Sequence, residues 1–316
     1  MSKKWLWVSF ILAVSAMLSG CEYSLKVLDP RGPQAETLSN TIIFSIIMMA
    51  CILLVVYVLF TIMLVKYRAS KLDKDYEPPH EEGSKALEIF WTAMPIIIVI
   101  ILSIVTVQTT TTVENKPDAY QNEEPLVIYA ASSNWKWHFS YPEQNIETVN
   151  YVNIPVDRPI EFRLYSYGPI TSFWIPQLSG QKYAMSDMVT KINLAASTPG
   201  SYMGKNSNFS GKGFAHMEFE AEAMSDKDFD SWVNDVKNNE QELTESEFNK
   251  LLEMEHVGRK SYSSTHLSFA PAPEGEHAGH HHGDEQEKEE SPHRTGHEHG
   301  SNTEMNMTTD TTHKNE

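Results

Sequence analysis

Two long runs without any charged residue place the strongest constraint on how this chain can fold. The first run covers residues 37–65 and the second covers residues 89–113. Each is longer than the roughly 20 apolar residues with which a helix crosses the hydrocarbon core of a bilayer. Only a helix or a closed barrel satisfies its backbone hydrogen bonds there, so we predict a hairpin of two transmembrane helices over residues 38–113.

Basic residues between the two runs predict the orientation of this hairpin. They follow the first run directly, at Lys66, Arg68, Lys71 and Lys74. Cytoplasmic loops carry an excess of Lys and Arg, so we expect the loop at residues 66–87 to be cytoplasmic. The segment at residues 21–37 and the chain after residue 113 are then expected outside.

The first 20 residues have the features of an export signal. Two lysines precede a short apolar stretch at residues 5–17, and Leu-Ser-Gly then leads directly to Cys21. A charged start followed by such a stretch is typical of a secretory signal peptide, and the end of it resembles a lipoprotein signal, which is cut before a Cys that receives a lipid. We expect a signal peptide at residues 1–20 and a lipid on Cys21. An ordinary signal peptide and a first membrane helix are the alternatives.

Residues 123–223 carry the pattern of short β-strands separated by turns. Ile160, Phe162 and Leu164 alternate with Glu161 and Arg163, which is the period of a half-buried strand. Similar runs occur at 126–131, 135–141, 172–175, 189–194 and 217–223. Many short strands at this spacing predict an all-β sandwich or barrel.

The C-terminal third divides into a helical part and a polar tail. Ser225 and Thr244 each stand three residues before an acidic residue and start an apolar stripe, so residues 225–256 are predicted to form two amphipathic helices. Residues 271–316 contain almost no large apolar side chains, so we expect a disordered tail. From residue 274 the tail holds 11 acidic, three basic and eight His residues. Its acidity argues against nucleic-acid binding, and His-rich tracts bind metals adventitiously.

The loop at residues 204–217, GKNSNFSGKGFAHM, resembles a metal-binding loop of a known family. In the second subunit of haem–copper oxidases this loop reads G-x-C-x-E-x-C-G-x-x-H-x-x-M and holds a dinuclear copper centre. Here both glycines match, and Met217 stands at the Met position. The other ligand positions are replaced, the two Cys by Asn206 and Ser210, the Glu by Asn208 and the His by Phe214.

Three further segments carry the same resemblance. Residues 134–141, NWKWHFSY, are similar to an aromatic Q-W-Y-W-x-Y-x-Y segment that passes electrons from cytochrome c towards copper, although we favour a packing role for them here. Residues 169–176, PITSFWIP, resemble V-I-H-S-F-W-V-P, with Thr171 in place of a copper-binding His. Residues 87–95 resemble the E-x-x-W-T-x-x-P start of the second span. That match implies that Glu88 lies near the mouth of a proton-uptake pathway of the catalytic subunit, the alternative being a glutamate at the headgroup level.

The replaced ligands determine the function that the resemblance implies. A dinuclear copper centre needs bridging thiolates, and the only two Cys of the chain are Cys21 and Cys51, the latter inside the first apolar run. Adjacent strand residues point to opposite faces, so His216 and Met217 are expected to be a surface His beside a core Met. The resemblance to bacterial aa3-type menaquinol oxidases implies a second subunit that binds no cofactor itself, with haem and copper in subunit I.

The family also implies a fold and a set of partners. The fold is a cupredoxin-like Greek-key sandwich outside the membrane, and the complex is a proton-pumping oxidase that converts quinol and dioxygen to quinone and water. The implied partners are the haem-bearing catalytic subunit I, other oxidase subunits, quinol through the complex and membrane lipid, in the plasma membrane of a Gram-positive bacterium. Two alternatives stay open: a cytochrome c oxidase subunit II with a degraded copper site, and a membrane-anchored copper-handling lipoprotein that uses the His-rich tail.

Overall fold

A computed structural model of the chain describes residues 25–68 and 83–273. The predicted signal peptide, Cys21, Lys71, Lys74 and the chain from residue 274 onward lie outside the described residues. Two long helices come first, and a β-sandwich and two short helices follow.

The two long helices form an apolar hairpin. Helix α1 spans Pro33–Lys66 and helix α2 spans Lys85–Glu114, and their most apolar stretches have mean hydropathies of 3.1 and 2.5. Most of their large apolar side chains are exposed on the outside of the protein, as lipid-facing helices require. The hydroxyls of Thr41 and Thr109 join the helices by a hydrogen bond of 2.9 Å. The predicted hairpin of two transmembrane helices is confirmed.

Helix α1 begins before residue 38, where the hairpin is predicted to start. Pro33 occupies the first helical position, where its missing N–H is not needed by the helix. Ala35 is 1% exposed. Just before the helix, the backbone N–H of Arg31 donates to the carbonyl of Gln177 at 2.7 Å, and the carbonyl of Arg31 accepts from Ser197 at 2.8 Å. The hairpin therefore meets the sandwich through a polar segment that shows no periodicity in the sequence.

Within the described residues, eleven strands form two sheets. They are β1 (Leu126–Ser133), β2 (Lys136–Tyr141), β3 (Ile146–Val149), β4 (Tyr151–Pro155), β5 (Ile160–Ser166), β6 (Thr171–Trp174), β7 (Gln181–Ala184), β8 (Thr190–Leu194), β9 (Gly200–Asn206), β10 (Glu218–Met224) and β11 (Lys260–Tyr262). The first sheet has the order β11-β3-β2-β1-β5-β8 and the second has the order β4-β10-β9-β6-β7.

The chain crosses repeatedly between these two sheets. Strands β3, β4, β5 and β6 alternate between the sheets, and so do β7, β8 and β9. Strand β1 pairs in parallel with β5, and β4 with β10, whereas the other strand pairs are antiparallel. Such crossings are the connections of a Greek-key sandwich. The predicted fold class, a cupredoxin-like sandwich behind a helical hairpin, is confirmed; strands β3, β4, β7, β9 and β11 were not predicted.

Aromatic side chains from both sheets fill the centre of the sandwich. The ring centroids of Trp137 and Phe173 are 5.3 Å apart, and those of Phe173 and Phe219 are 5.1 Å apart. Trp137 and Phe139 are both 0% exposed, so these two rings of the aromatic segment pack in the core. Phe219 lies on Gly204, where an added Cβ would stand 2.1 Å from the ring. Gly204, in the strand that leads into the loop, therefore has no room for a side chain.

Two capped helices follow the sandwich, as predicted. Helix α3 spans Asp226–Asn239 and helix α4 spans Glu245–Glu253. The Ser225 hydroxyl accepts from the N–H of Asp228, and the Thr244 hydroxyl accepts from the N–H of Glu247, each at 3.2 Å. These contacts satisfy N–H groups that the first turn of a helix leaves unpaired.

A third layer, formed by α4 and a 3₁₀ turn at His266–Ser268, covers the outer face of the first sheet, and the sequence predicted only its helix. Between these two elements, strand β11 pairs with β3 and extends the edge of the first sheet. Under these elements and α4 lies a second, small apolar cluster, formed by Val149, Leu243, Phe248, Leu251 and Tyr262. The chain up to residue 270 is therefore packed on the sandwich.

Candidate functional site

The structure brings most of the replaced copper-ligand positions to one end of the sandwich. Thr171 begins β6 and Asn206 ends β9, and these two strands are paired next to each other. Asn208 and Ser210 lie in the loop that follows β9, and Phe214 lies in a 3₁₀ turn before β10. The pairing of β6 with β9 explains why two segments far apart in sequence meet at this place.

The side-chain amide of Asn206 connects three groups at the centre of this site. Its Oδ1 accepts from the backbone N–H groups of Ser172 at 2.8 Å and Asn208 at 3.0 Å. Its Nδ2 donates to the hydroxyl of Ser210 at 2.9 Å. Asn206 is 3% exposed, and its hydrogen bond with Ser172 is fully buried. One neutral side chain thus joins β6 to both sides of the loop.

Further hydrogen bonds attach the loop to its surroundings. The Asn208 amide donates to the carbonyl of Ile170 at 2.9 Å, and the Trp135 indole donates to the carbonyl of Ser210 at 3.2 Å. Trp135 also lies against Gly213, where an added Cβ would stand 2.2 Å from the ring. The loop conformation is therefore fixed by contacts with two other segments of the domain.

Thr171, at the position of a ligand His in the family, makes a different contact. Its hydroxyl donates to the hydroxyl of Ser132 at 2.7 Å, and Thr171 is only 2% exposed. This bond joins β6 in the second sheet to β1 in the first. The hydrogen-bonding group of Thr171 is thus used within the sandwich.

The last part of the loop contains two candidate soft ligands that face different surroundings. Met217 is 1% exposed and belongs to the main core, whereas His216 is exposed, with its ring centroid 6.1 Å from that of His256. The prediction of a surface His beside a core Met is confirmed. Phe214 is half-buried and contacts the exposed ring of Phe209, with centroids 5.8 Å apart.

These side chains do not fit a dinuclear copper centre. Such a centre needs thiolates, which stabilise Cu(I), and the loop offers amide and hydroxyl groups that already hydrogen-bond with one another. Cys51 lies on α1, inside the apolar hairpin. Among residues 25–68 and 83–273, no group of three or more His, Cys, Asp or Glu side chains is arranged to hold a metal ion.

Glu88 lies far from this loop. It stands in the first turn of α2 with its side chain exposed, and its carbonyl accepts from the Thr92 hydroxyl at 2.9 Å. The other end of α2 contacts the sandwich, where Glu114 and Lys182 form an ion pair at 3.0 Å. The helix rise between Glu88 and Glu114 is about 39 Å, at about 1.5 Å per residue. The structure therefore does not bring Glu88 together with the other candidate residues.

A buried polar cluster under the third layer was missed by the sequence analysis. Its centre is the carboxylate of Glu147, which is 0% exposed. One oxygen of this carboxylate accepts from the Ser140 hydroxyl at 2.9 Å, from the backbone N–H of His266 at 2.9 Å and from His266 Nδ1 at 2.6 Å. The other oxygen stands 3.6 Å from His138 Nδ1, which is too long for a hydrogen bond. A Glu between Ile and Thr in a short strand gives no sign of such a role.

Electrostatics keep Glu147 ionised in this buried place. Burial by itself raises the pKa of Glu147, but the imidazoles of His266 and His138 outweigh burial and hold its pKa below the ordinary value. Burial lowers the pKa of His138, against the opposite effect of Glu147. Burial also lowers the pKa of Lys136 to about 8. The Lys136 ammonium donates to the carbonyls of Asn134 at 3.0 Å and Met254 at 2.5 Å, so it too holds the third layer.

Ser133, His138 and Glu147 follow one another as the serine, histidine and acid of a serine hydrolase do, but all three side chains are buried. Ser133 Oγ lies 2.9 Å from His138 Nε2, and His138 in turn faces Glu147. Ser133 is 5% exposed, and the other two side chains are 0% exposed. No substrate can reach a nucleophile in such a position. The contacts instead fasten the third layer to the first sheet.

Comparison with known proteins places the chain among oxidase subunits. The family described as cytochrome C oxidase subunit II, transmembrane domain, matches residues 21–109. The chain is 46% identical to quinol oxidase subunit 2 of Bacillus cereus over 82% of this chain and 89% of that protein. It is 50% identical to quinol oxidase subunit 2 of Bacillus subtilis (strain 168) over 82% and 81% of the two chains.

Solved structures give a more distant likeness. The periplasmic domain of subunit II of cytochrome oxidase of Bradyrhizobium japonicum aligns with 36% of this chain and 94% of its own length. The sequence identity is 24% and the TM-score is 0.35.

The Asn206 amide provides a direct test of what holds the loop. We expect Asn206→Ala to lower the free energy of unfolding by about 3 kcal/mol, because the buried N–H of Ser172 and the half-buried N–H of Asn208 lose their acceptor, and an unsatisfied buried group costs about 1–3 kcal/mol. Asn208→Ala is the matched control in the same loop and should cost about 1 kcal/mol or less, because it removes a hydrogen bond from a half-buried side chain. Urea unfolding followed by Trp fluorescence measures both. Equal losses in the two variants would contradict the role given to Asn206.

The Glu147 cluster predicts a pH-dependent contribution to stability. Glu147→Gln should lower the free energy of unfolding by about 3 kcal/mol at neutral pH, because it removes a buried carboxylate that accepts three hydrogen bonds, at about 1.5–3 kcal/mol for each bond to a charged group. The folded-state pKa is lowered, so the unfolded chain binds the proton first as the pH falls. The contribution is therefore complete above the ordinary carboxyl pKa of 4.5 and shrinks in stronger acid. Urea titrations at several pH values measure the difference between the two proteins.

A matched control separates this effect from a general loss of charge. Glu255→Gln removes an exposed carboxylate that pairs with Lys212 at 2.8 Å and should change stability little. A Glu147→Gln effect that stayed the same in strong acid would show that the carboxylate charge is not its source.

Proposed function

The chain belongs to the quinol oxidase subunit 2 family, within the haem–copper oxidases, and from this premise we propose that it anchors and caps the haem-bearing catalytic subunit without carrying electrons itself. The oxidase takes electrons from a quinol and passes them to dioxygen while it pumps protons. In this proposal haem and copper belong to the catalytic subunit, and this chain binds no cofactor. Its partners are that subunit, other oxidase subunits and membrane lipid.

One observation carries the proposal of a subunit without a copper relay. The Asn206 amide occupies a Cys position of the family loop and hydrogen-bonds to Ser172, Asn208 and Ser210. A relay from a soluble cytochrome would need a metal in this loop, because the donor cannot enter the membrane. A quinol is apolar and reaches the membrane-embedded subunit through the bilayer. The loss of thiolates therefore agrees with a change of donor.

The same proposal includes a topology. Lys66 and Arg68 stand at the end of α1 and favour a cytoplasmic position for the end of the hairpin, so the sandwich lies outside the cell. A lipid on Cys21 would attach the mature N-terminus to the same side, in the plasma membrane of a Gram-positive bacterium. Mass spectrometry of the purified chain tests this part, since an unmodified Cys21 or a chain that keeps residues 1–20 would overturn it.

Family membership also bears on the two alternatives. The identity to quinol oxidase subunits extends over about four fifths of the chain, which favours an oxidase subunit over a copper-handling lipoprotein. The cytochrome c alternative differs from the proposal only in the electron donor.

Oxygen uptake by the purified complex distinguishes the two donors. We expect rapid uptake with a reduced quinol, and none with reduced cytochrome c, because no metal relay in this chain connects a soluble donor to the haems. The same preparation supplies the control, since its haem spectrum reports that the catalytic subunit is intact. Uptake with cytochrome c at a rate similar to that with quinol would overturn the proposal.

We also propose that Glu88 serves proton uptake at the cytoplasmic end of α2, since an ionisable side chain at a membrane boundary is a functional candidate. Glu88→Gln should slow oxygen uptake severalfold without changing haem content. The matched control is Glu114→Gln at the other end of the same helix, which removes only an exposed ion pair with Lys182 and should leave the rate unchanged. Equal rates in wild type and Glu88→Gln would assign Glu88 to the headgroup level alone.

A further inference from the structure

The chain segment at residues 259–270, here named the strap, is separate from the main core of the sandwich. The main hydrophobic cluster extends from Leu126 to Val236 and contains no residue of the strap. The strap begins as the edge strand of the first sheet and continues onto its outer face, and Tyr262 joins the small second cluster. The sandwich core is therefore complete without it.

The strap contacts the sheet in the way that sheets bind extended peptides. Its strand β11 pairs antiparallel with β3, with Lys260 opposite Val149 and Tyr262 opposite Glu147. Further along, the Tyr167 hydroxyl donates to the backbone carbonyl of Ala270 at 3.2 Å. Addition of a strand to a sheet edge supplies affinity through the main chain, and side-chain pockets supply specificity.

His266 of the strap fills a buried pocket lined by Glu147, Tyr165 and Phe248, here named the Glu147 socket. His266 is 0% exposed, its Nδ1 lies 2.6 Å from Glu147 and its Nε2 lies 2.6 Å from the Tyr165 hydroxyl. The Phe248 ring of α4 stacks on the imidazole with a centroid distance of 4.4 Å and an interplanar angle of 9°. Both ring nitrogens are therefore satisfied and one ring face is covered.

The contacts of His266 help to define the register of the short strand β11. A strand of three residues such as β11 has few contacts that distinguish one register from another, and a slip of one residue would reverse the faces of its side chains. A buried charged contact contributes little net stability when compared with apolar packing, but it can select one arrangement. His266 and Glu147 fix the register of the whole strap.

We propose that the strap is a detachable ligand of its own sandwich, a peptide segment that the first sheet binds by strand addition and that His266 anchors in the Glu147 socket. The acidic, His-rich sequence beyond residue 273 follows the strap along the chain. Release of His266 detaches the strap, whereas the sandwich and its loop at residues 204–217 stay folded.

The test uses the assembled oxidase with a protease recognition sequence inserted at Gly258. This residue is exposed, and an added Cβ there would meet no atom within 4 Å. After cleavage we expect the C-terminal fragment to stay bound and to be displaced by excess synthetic peptide of residues 259–273. A peptide with His266→Gln should compete at least about tenfold more weakly, because a buried charged contact is lost. A peptide with Ser268→Ala, at an exposed strap position, is the matched control and should compete like the wild type.

Three results would overturn the proposal. Loss of the thermal transition of the sandwich after cleavage would make the strap part of the fold. A fragment that stays bound and that no peptide displaces would show that the strap does not exchange. Equal competition by the His266→Gln and wild-type peptides would show that the socket does not anchor the strap.

Discussion

The candidate site depends on one buried amide. Asn206 offers one acceptor oxygen and one donor nitrogen, and the structure uses both, for two backbone N–H groups and one hydroxyl. In the related oxidase loop a metal centre connects the same positions, and metal–thiolate bonds hold the loop. Here neutral hydrogen bonds hold it, so the loop keeps a defined shape without the soft ligands that copper requires. The chain thereby retains the sandwich of the family with a hydrogen-bonded loop at the replaced ligand positions.

A second buried group, the charged carboxylate of Glu147, holds a different part of the structure. Asn206 connects neutral partners within the sandwich, whereas Glu147 connects the first sheet to a segment 119 residues later in sequence, through His266. A carboxylate is costly to bury, and the value of this contact lies in the selection of one position for that segment. The two groups act at separate places in the domain.

The sequence predicts the parts of this structure that repeat with a regular period. The charge-free runs define the hairpin and the alternation around Phe162 defines a strand, because burial follows the geometry of helix and strand. The replaced ligand positions, among them Asn206 and Thr171, could be named in advance because the family patterns assign a ligand residue to each of these positions. The partners of Asn206 could not be named, because two of them are backbone groups brought in by folding. The role of His266 was missed because β11 is too short to show a pattern and the pairing with β3 is long-range.

Spectroscopy of the oxidised complex tests the central claim most directly, namely that hydrogen bonds stand in this loop where related subunits hold copper. Electron paramagnetic resonance would detect the mixed-valence signal of a dinuclear copper centre independently of turnover. The account predicts no such signal in the assembled oxidase, even after incubation with copper salts. A mixed-valence signal that is lost when the loop around Asn206 is altered would contradict it.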